Sequence, residues 1–181
     1  MATVEFVVVV FAALVMIFFV VELTALYFFI MSAQHAAYMG ARVAAVSDPA
    51  AAGVPVTNIK TSTGVFGVSC SDVSNPCVGF TTISCVGGIA GCNAAPFSRI
   101  LSRMEQFLGG LDASHVTITY AYTELGYAGG PAILEVTVRI EGVPYSTGII
   151  GGFIGTNHGP FTTIPAVSVT LMSEDLSGSG G

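Results

Sequence analysis

The first forty-odd residues leave this chain few options. Phe6 to Val21 are unbroken apolar residues, Glu22 interrupts once, and Leu23 to Met31 continue the run. No Gly or Pro precedes Gly40, so a single helix can carry Met1 to about Val46. At 1.5 Å per residue such a helix is roughly 65 to 70 Å long, with an apolar part of about 40 Å, enough to cross a bilayer. The four valines Val7 to Val10 would suit a buried strand, but the run is several times longer than strands are.

Charge is scarce on this segment and therefore informative. Glu5 sits one turn inside an apolar surface, where an ionisable group is expensive and calls for a partner. No Lys or Arg appears before Arg42, so the basic flank of a signal peptide or an ordinary membrane anchor is missing. Met1 is therefore expected to be a processed end bearing a free amine. That amine lies at the positive end of its own helix dipole, so the expected partner of Glu5 is the Met1 amine of a neighbouring copy packed with an axial offset. Glu22 has two readings: a pair with His35 or Arg42 of another copy, or a side chain that hydrogen-bonds to nearby hydroxyls or snorkels. The small-residue region Ala36 to Ala45 suits close packing against other helices. Ser47, Asp48 and Pro49 should end the helix.

An apolar helix with Glu at its fifth position resembles the type IV pilin class. The finer resemblance is to TadE-like pilins of the tight-adherence branch, through Val4-Glu5-Phe6, Val21-Glu22-Leu23 and Met39-Gly40-Ala41-Arg42-Val43-Ala44-Ala45. A Tyr-containing strand followed by Leu125-Gly126 extends it patchily along the chain. Tyr38 departs from the pattern, because the family often has a basic residue there. The resemblance implies cleavage by a prepilin peptidase, N-methylation at Met1, and assembly by a cytoplasmic ATPase with a membrane platform. It also implies a role in adhesion or surface colonisation.

The remaining residues, 49–181, are enough for one modest head with its own core. The chain is 52% hydrophobic and 9% charged, with no Trp and a formal charge of −6, a poor composition for a free soluble monomer. Its acidic balance, without any Lys/Arg cluster, argues against a nucleic-acid face. Cys70, Cys77, Cys85 and Cys92 lack the close C-x-x-C pairs of zinc knuckles and read as two disulfides in an oxidising compartment. Of three connectivities, the local bridges Cys70–Cys77 and Cys85–Cys92 come first, because short loops close most readily.

The head is expected to be α+β, an antiparallel sheet packed on helix, with the disulfide-stapled loop at 56–93, a helix at 96–108 and the sheet within 115–173. Ala50 to Ser69 read as extended, partly paired chain, and Phe80 to Ser84 as a short strand between the bridges. Phe97, Ile100, Leu101, Met104, Phe107 and Leu108 share one helical face, after Asn93-Ala94-Ala95-Pro96 and before Gly109-Gly110. Three segments alternate with a period of two, from Val116 to Tyr122, Ile133 to Glu141 and Val167 to Leu171. The Gly-rich apolar stretch within Ser146 to Pro165 reads either as an intersubunit contact or as a loop folded on its own sheet. Ser177 to Gly181 is a flexible tail by composition.

Chemistry is hard to assemble from what remains. His35, His115 and His158 fall in three separate elements, and Glu135, Arg139 and Glu141 read as an exposed ion-pair group. Arg99 and Arg103 read as a solvated helix face. No nucleophile elbow, P-loop or dinucleotide fingerprint is present, so neither catalysis, a cofactor nor a metal is expected. The expected protein is a pilin that homopolymerises through residues 1–48, passes from the inner membrane through the pilus machinery, and ends in an extracellular filament. Met1, Glu5, Glu22 and Arg42 are its expected assembly residues. The rival readings are a minor pilin or pseudopilin that primes or caps another filament, and a membrane-anchored extracytoplasmic binding module. A secreted enzyme comes last.

Overall fold

The computed structural model describes residues 2–87, 89, 91–145 and 163–173. Helix α1 (Ala2–Ala45) runs without a break. It is followed by β1 (Ile83–Val86), α2 (Ala94–Glu105), a single 3-10 turn (Ala113–His115), β2 (Val116–Leu125), β3 (Ile133–Ile140) and β4 (Val167–Met172). The four strands form one antiparallel sheet in the order β1-β2-β3-β4. This is the α+β arrangement that the sequence predicts, a long apolar helix with a small sheet packed against its far half.

The alternation of the strands decides which face is covered. Val116, Ile118 and Tyr120 of β2 and Leu134, Val136, Val138 and Ile140 of β3 are wholly buried. They pair directly across the sheet, Ile118 with Val138 and Tyr120 with Val136. The cover is supplied by α2, through Phe97, Ile100, Met104 and Leu108, and by α1 from about Phe29 onward. On α1 the buried stripe is Ala33, Ala36, Ala37, Gly40, Ala41 and Ala44. Small side chains let α1 and α2 approach closely: a Cβ built on Gly40 would stand 2.6 Å from Met104 Sδ. The small-residue region thus packs closely against another helix, as the sequence suggests, and that helix is α2 of the chain's own head.

Helix α2 begins two residues before the expected Pro96 start and ends three residues before Leu108. Asn93 occupies its N-cap position but spends its side chain elsewhere, donating from Nδ2 to Pro49 O at 2.8 Å. It thereby ties the end of α1 to the start of α2. Past Glu105 the amides of Phe107 and Leu108 both donate to Met104 O, and Gly110 completes the turn at φ +76°. Pro96, inside the first turn, removes an amide that needs no helical partner there.

The local disulfides Cys70–Cys77 and Cys85–Cys92 are both present, with Cα separations of 5.1 and 5.2 Å. Strand β1 lies at Ile83–Val86, displaced from the expected Phe80 to Ser84. Pairing moves it: Cys85 stands opposite Ile118 with its side chain in the core, and the bridge to Cys92 requires that position. The segment before it is extended and joined by isolated bridges, Ala51 to Cys92, Thr57 to Pro131, Lys60 to Cys77 and Ser69 to Tyr127.

At the end of the sheet remote from the exposed half of α1, buried Asn58 organises the β2–β3 connection. Its Nδ2 donates to the carbonyls of Leu125 (3.1 Å), Pro131 (3.3 Å) and Tyr127 (3.4 Å). Its backbone amide donates to Gly130 O, and its carbonyl accepts from Gly129 N–H, both at 2.8 Å. Gly126, at φ +89°, would bring a Cβ to 2.8 Å from the same Nδ2. The expected Gly-rich stretch from Ser146 lies, up to residue 162, outside the described residues, as do His158 and the tail from Ser177.

Candidate functional site: the exposed half of the first helix

From Thr3 to Phe28 nearly every large apolar side chain of α1 faces outward, Phe6 at 69% and Phe28 at 73% exposure. Its most apolar window has a mean hydropathy of 3.1 and no buried residue, so by length and composition the helix can cross a membrane. Each Val, Leu or Phe left in water forgoes about 1.5 to 3 kcal/mol, on the order of tens of kcal/mol along the whole segment. The head gains nothing from this half, because its core closes on residues 29–45.

The structure separates the expected assembly residues. Met1 lies outside the described residues. Glu5 is exposed near the start of α1, and Arg42 is exposed in its last turn. Arg42 follows buried Ala33 by nine residues, about two and a half turns, and so points away from the head. Glu22 precedes Ala33 by eleven residues, about three turns, and so faces the same way as the buried stripe. It is partly buried at the lower edge of the head, where Tyr145 packs on Phe29 with ring centroids 5.3 Å apart. Burial first, and then the charge of Glu22, hold the Tyr145 phenol above its usual range.

The other candidates resolve as ordinary surface. His35 is exposed on α1 with its ring edge-on to Phe107 at 4.5 Å. His115 Nδ1 lies 3.0 Å from Glu141 O, next to the Arg139–Glu141 ion pair, whose members are 2.8 Å apart and half exposed. Arg103 donates to Gln106 Oε1 at 2.9 Å, and Arg99 stands in solvent. Among the described residues no three His, Cys, Asp or Glu side chains converge as a metal site.

No family model, curated protein or solved structure matches this chain. What it can do rests on its own geometry: an apolar rod about 40 Å long with Glu5 near its tip and Glu22 where it meets the head. Sequence reasoning missed Tyr145 and Phe29, which hold the edge of the head against the rod. The aromatic pair carries no local pattern, and only the fold brings the two rings together.

Proposed function

We propose that this chain is a structural subunit, not an enzyme, that polymerises through α1 into an extracellular filament of the type IV, TadE-like kind. The observation that carries this reading is the division of α1. One half completes a folded head and the other is an exposed apolar rod that must reside in a membrane or pack against copies of itself. In this reading the rod lies in the inner membrane before assembly, the pilus machinery extracts it, and the head is displayed outside for adhesion or surface colonisation.

A membrane-anchored module that never polymerises accounts for the rod equally well but gives Glu5 no purpose. A carboxylate in hydrocarbon is costly unless a second chain supplies its partner. A minor subunit that primes or caps another filament differs in stoichiometry alone. The test is electron cryomicroscopy of material sheared from producing cells. A repeating density that traces this sequence supports the main-subunit reading. Filaments tracing to another chain make this protein a minor subunit, and retention in the membrane after shear supports the anchored module.

A further inference from the structure

Resting on the filament reading, we propose that neighbouring copies join their sheets edge to edge, β4 of one pairing antiparallel with β1 of the next. Direction comes from topology. The four strands lie in the order β1-β2-β3-β4, each antiparallel to its neighbour, so the two edge strands run in opposite directions. Copies that stand side by side in one orientation, as a filament built on parallel first helices requires, therefore bring β4 and β1 together antiparallel. The contact is heterologous, using a different edge of each copy, so it propagates from head to head instead of closing on a pair.

Both edges have hydrogen-bonding groups to offer. The amide of Ser173 donates to Leu134 O, and that of Gly87 donates to Val116 O. Alternation from these two bonds turns the N–H and C=O of Ser168, Thr170 and Met172 on β4, and of Ser84 and Val86 on β1, away from the sheet. Val86 O accepts from Ile89 N–H at 3.1 Å; the other outward groups have no backbone partner among the described residues. Natural sheets close their edges with charged side chains, Pro or bulges. Neither Ile83–Val86 nor Val167–Met172 contains a charged residue or a Pro, so neither edge repels the other. Beside β4 an open groove of about 450 Å³, lined by Ile30, Gln34 and residues 165–169, leaves room for the incoming strand.

The side chains select a register. Centring the four residues of β1 on the six of β4 sets Ser84 opposite Thr170 and Ile83 opposite Leu171. On the uncovered face this gives a hydroxyl row of Thr119, Ser84, Thr170 and Thr137, which extends the bond of 2.7 Å that Thr170 Oγ1 and Thr137 Oγ1 already make within one copy. On the covered face Ile83 and Leu171, each only partly buried in its own head, shield one another.

Crosslinking in the full chain, expressed in the producing cells, tests the joint, with Ser84→Cys and Thr170→Cys combined in one variant. Within one copy the two positions lie three strand spacings apart, about 14 Å, too far for a bridge, whereas directly opposed positions across the joint fall within disulfide reach. Sheared filaments of this variant should give a ladder of covalent oligomers on a non-reducing gel that collapses to one band on reduction, with the peptides of positions 84 and 170 joined in mass spectra. Intact filaments without the ladder overturn the joint. So does a Thr170→Cys single variant that links into dimers, because β4 is then paired with β4. Wild-type filaments supply a second reading that no substitution can disturb. The outward amides of Ser84, Ser168 and Thr170 should exchange hydrogen roughly tenfold or more slowly in the filament than in the detergent-solubilised monomer, as a gained hydrogen bond requires. Equal rates overturn the joint. A wild-type chain that forms no polymer removes the filament reading together with this one, whereas polymer with unprotected edges removes the joint alone.

Discussion

Met104 lies against Gly40 so closely that a Cβ on residue 40 would come within 2.6 Å of its sulfur and 2.8 Å of its Cγ. The contact joins α1 to α2 at the centre of the head. It explains why glycine, a costly residue in a helix interior, interrupts a run of alanines. Gly40→Ala is expected to be nearly neutral, because the gain in helix propensity offsets a shift of the flexible methionine. Gly40→Val overpacks the site and should destabilise the head by about 1 to 3 kcal/mol. Thermal melts followed by circular dichroism check this, and Met104→Ala in the Gly40→Val background should cost less than Met104→Ala alone.

Asn58 supplies three donor contacts to carbonyls from a site that is 4% exposed. Asn58→Ala leaves those oxygens without their donor and should cost about 2 to 3 kcal/mol. Asn58→Asp should be worse, because a carboxylate would face three carbonyl oxygens. Hydrogen exchange at Gly126 to Ala132 is the measurement, with faster exchange there than in β2 and β3 as the expected outcome.

Tyr120 is buried, with its hydroxyl accepting from Ala50 N–H at 3.0 Å. Burial raises its pKa above the ordinary 10.0, and the bond from Ala50 opposes that rise. A phenol raised on folding contributes its full stability below the unfolded value of 10.0, where both states hold the proton. As pH climbs beyond that value the unfolded phenol ionises first, and stability falls until the folded pKa is passed. Tyr120→Phe should cost about 1 to 2 kcal/mol at neutral pH and flatten the alkaline loss. Melting midpoints measured across the alkaline range decide it, with Tyr122 and Tyr145, also raised by burial, supplying the slope that remains.

The two disulfides close loops of equal length, each with a sequence separation of 7, so loop entropy alone assigns each about 2.5 kcal/mol. They differ in what they anchor. Cys85 belongs to the main core, whereas Cys70 and Cys77 form a small cluster with Ala128. Cys85→Ala with Cys92→Ala should therefore lower the melting temperature more than Cys70→Ala with Cys77→Ala. The opposite order would show that the outer loop, and not β1, limits stability.

Glu5→Ala should abolish or severely reduce filament assembly while leaving the head folded. Glu5 contacts no part of the head's core, and under the proposed filament reading its removal strands the Met1 amine expected from a neighbouring copy. Filament yield after shear reports the first effect. Circular dichroism and intact disulfides of the same variant report the second.

Periodicity made much of this fold readable. The alternation of Val116 to Tyr122 and of Leu134 to Ile140 follows from the pleat of a half-covered strand, and the face of α2 follows from the helical repeat. Cysteine spacing pointed to the local bridges for the same kind of reason, since short loops close easily. What stayed hidden depends on residues far apart in the chain. Asn58 reads as one polar residue in a nondescript stretch, yet its partners lie beyond Tyr122. That Glu22 is partly buried at the edge of the head, near Tyr145, depends on a residue more than a hundred positions away. The exposed rod was legible from its length and its unbroken apolar composition.

Because α1 continues without a joint from the bare rod into the stripe Ala33 to Ala44, rod and head share one mechanical element. A pull along the axis of residues 2–28 enters the head as shear spread over the whole contact with α2 and the sheet, and no strand is peeled away one hydrogen bond at a time. No hinge separates the exposed half of α1 from the core. Load applied to the exposed half of α1 is borne by the most deeply packed part of the molecule.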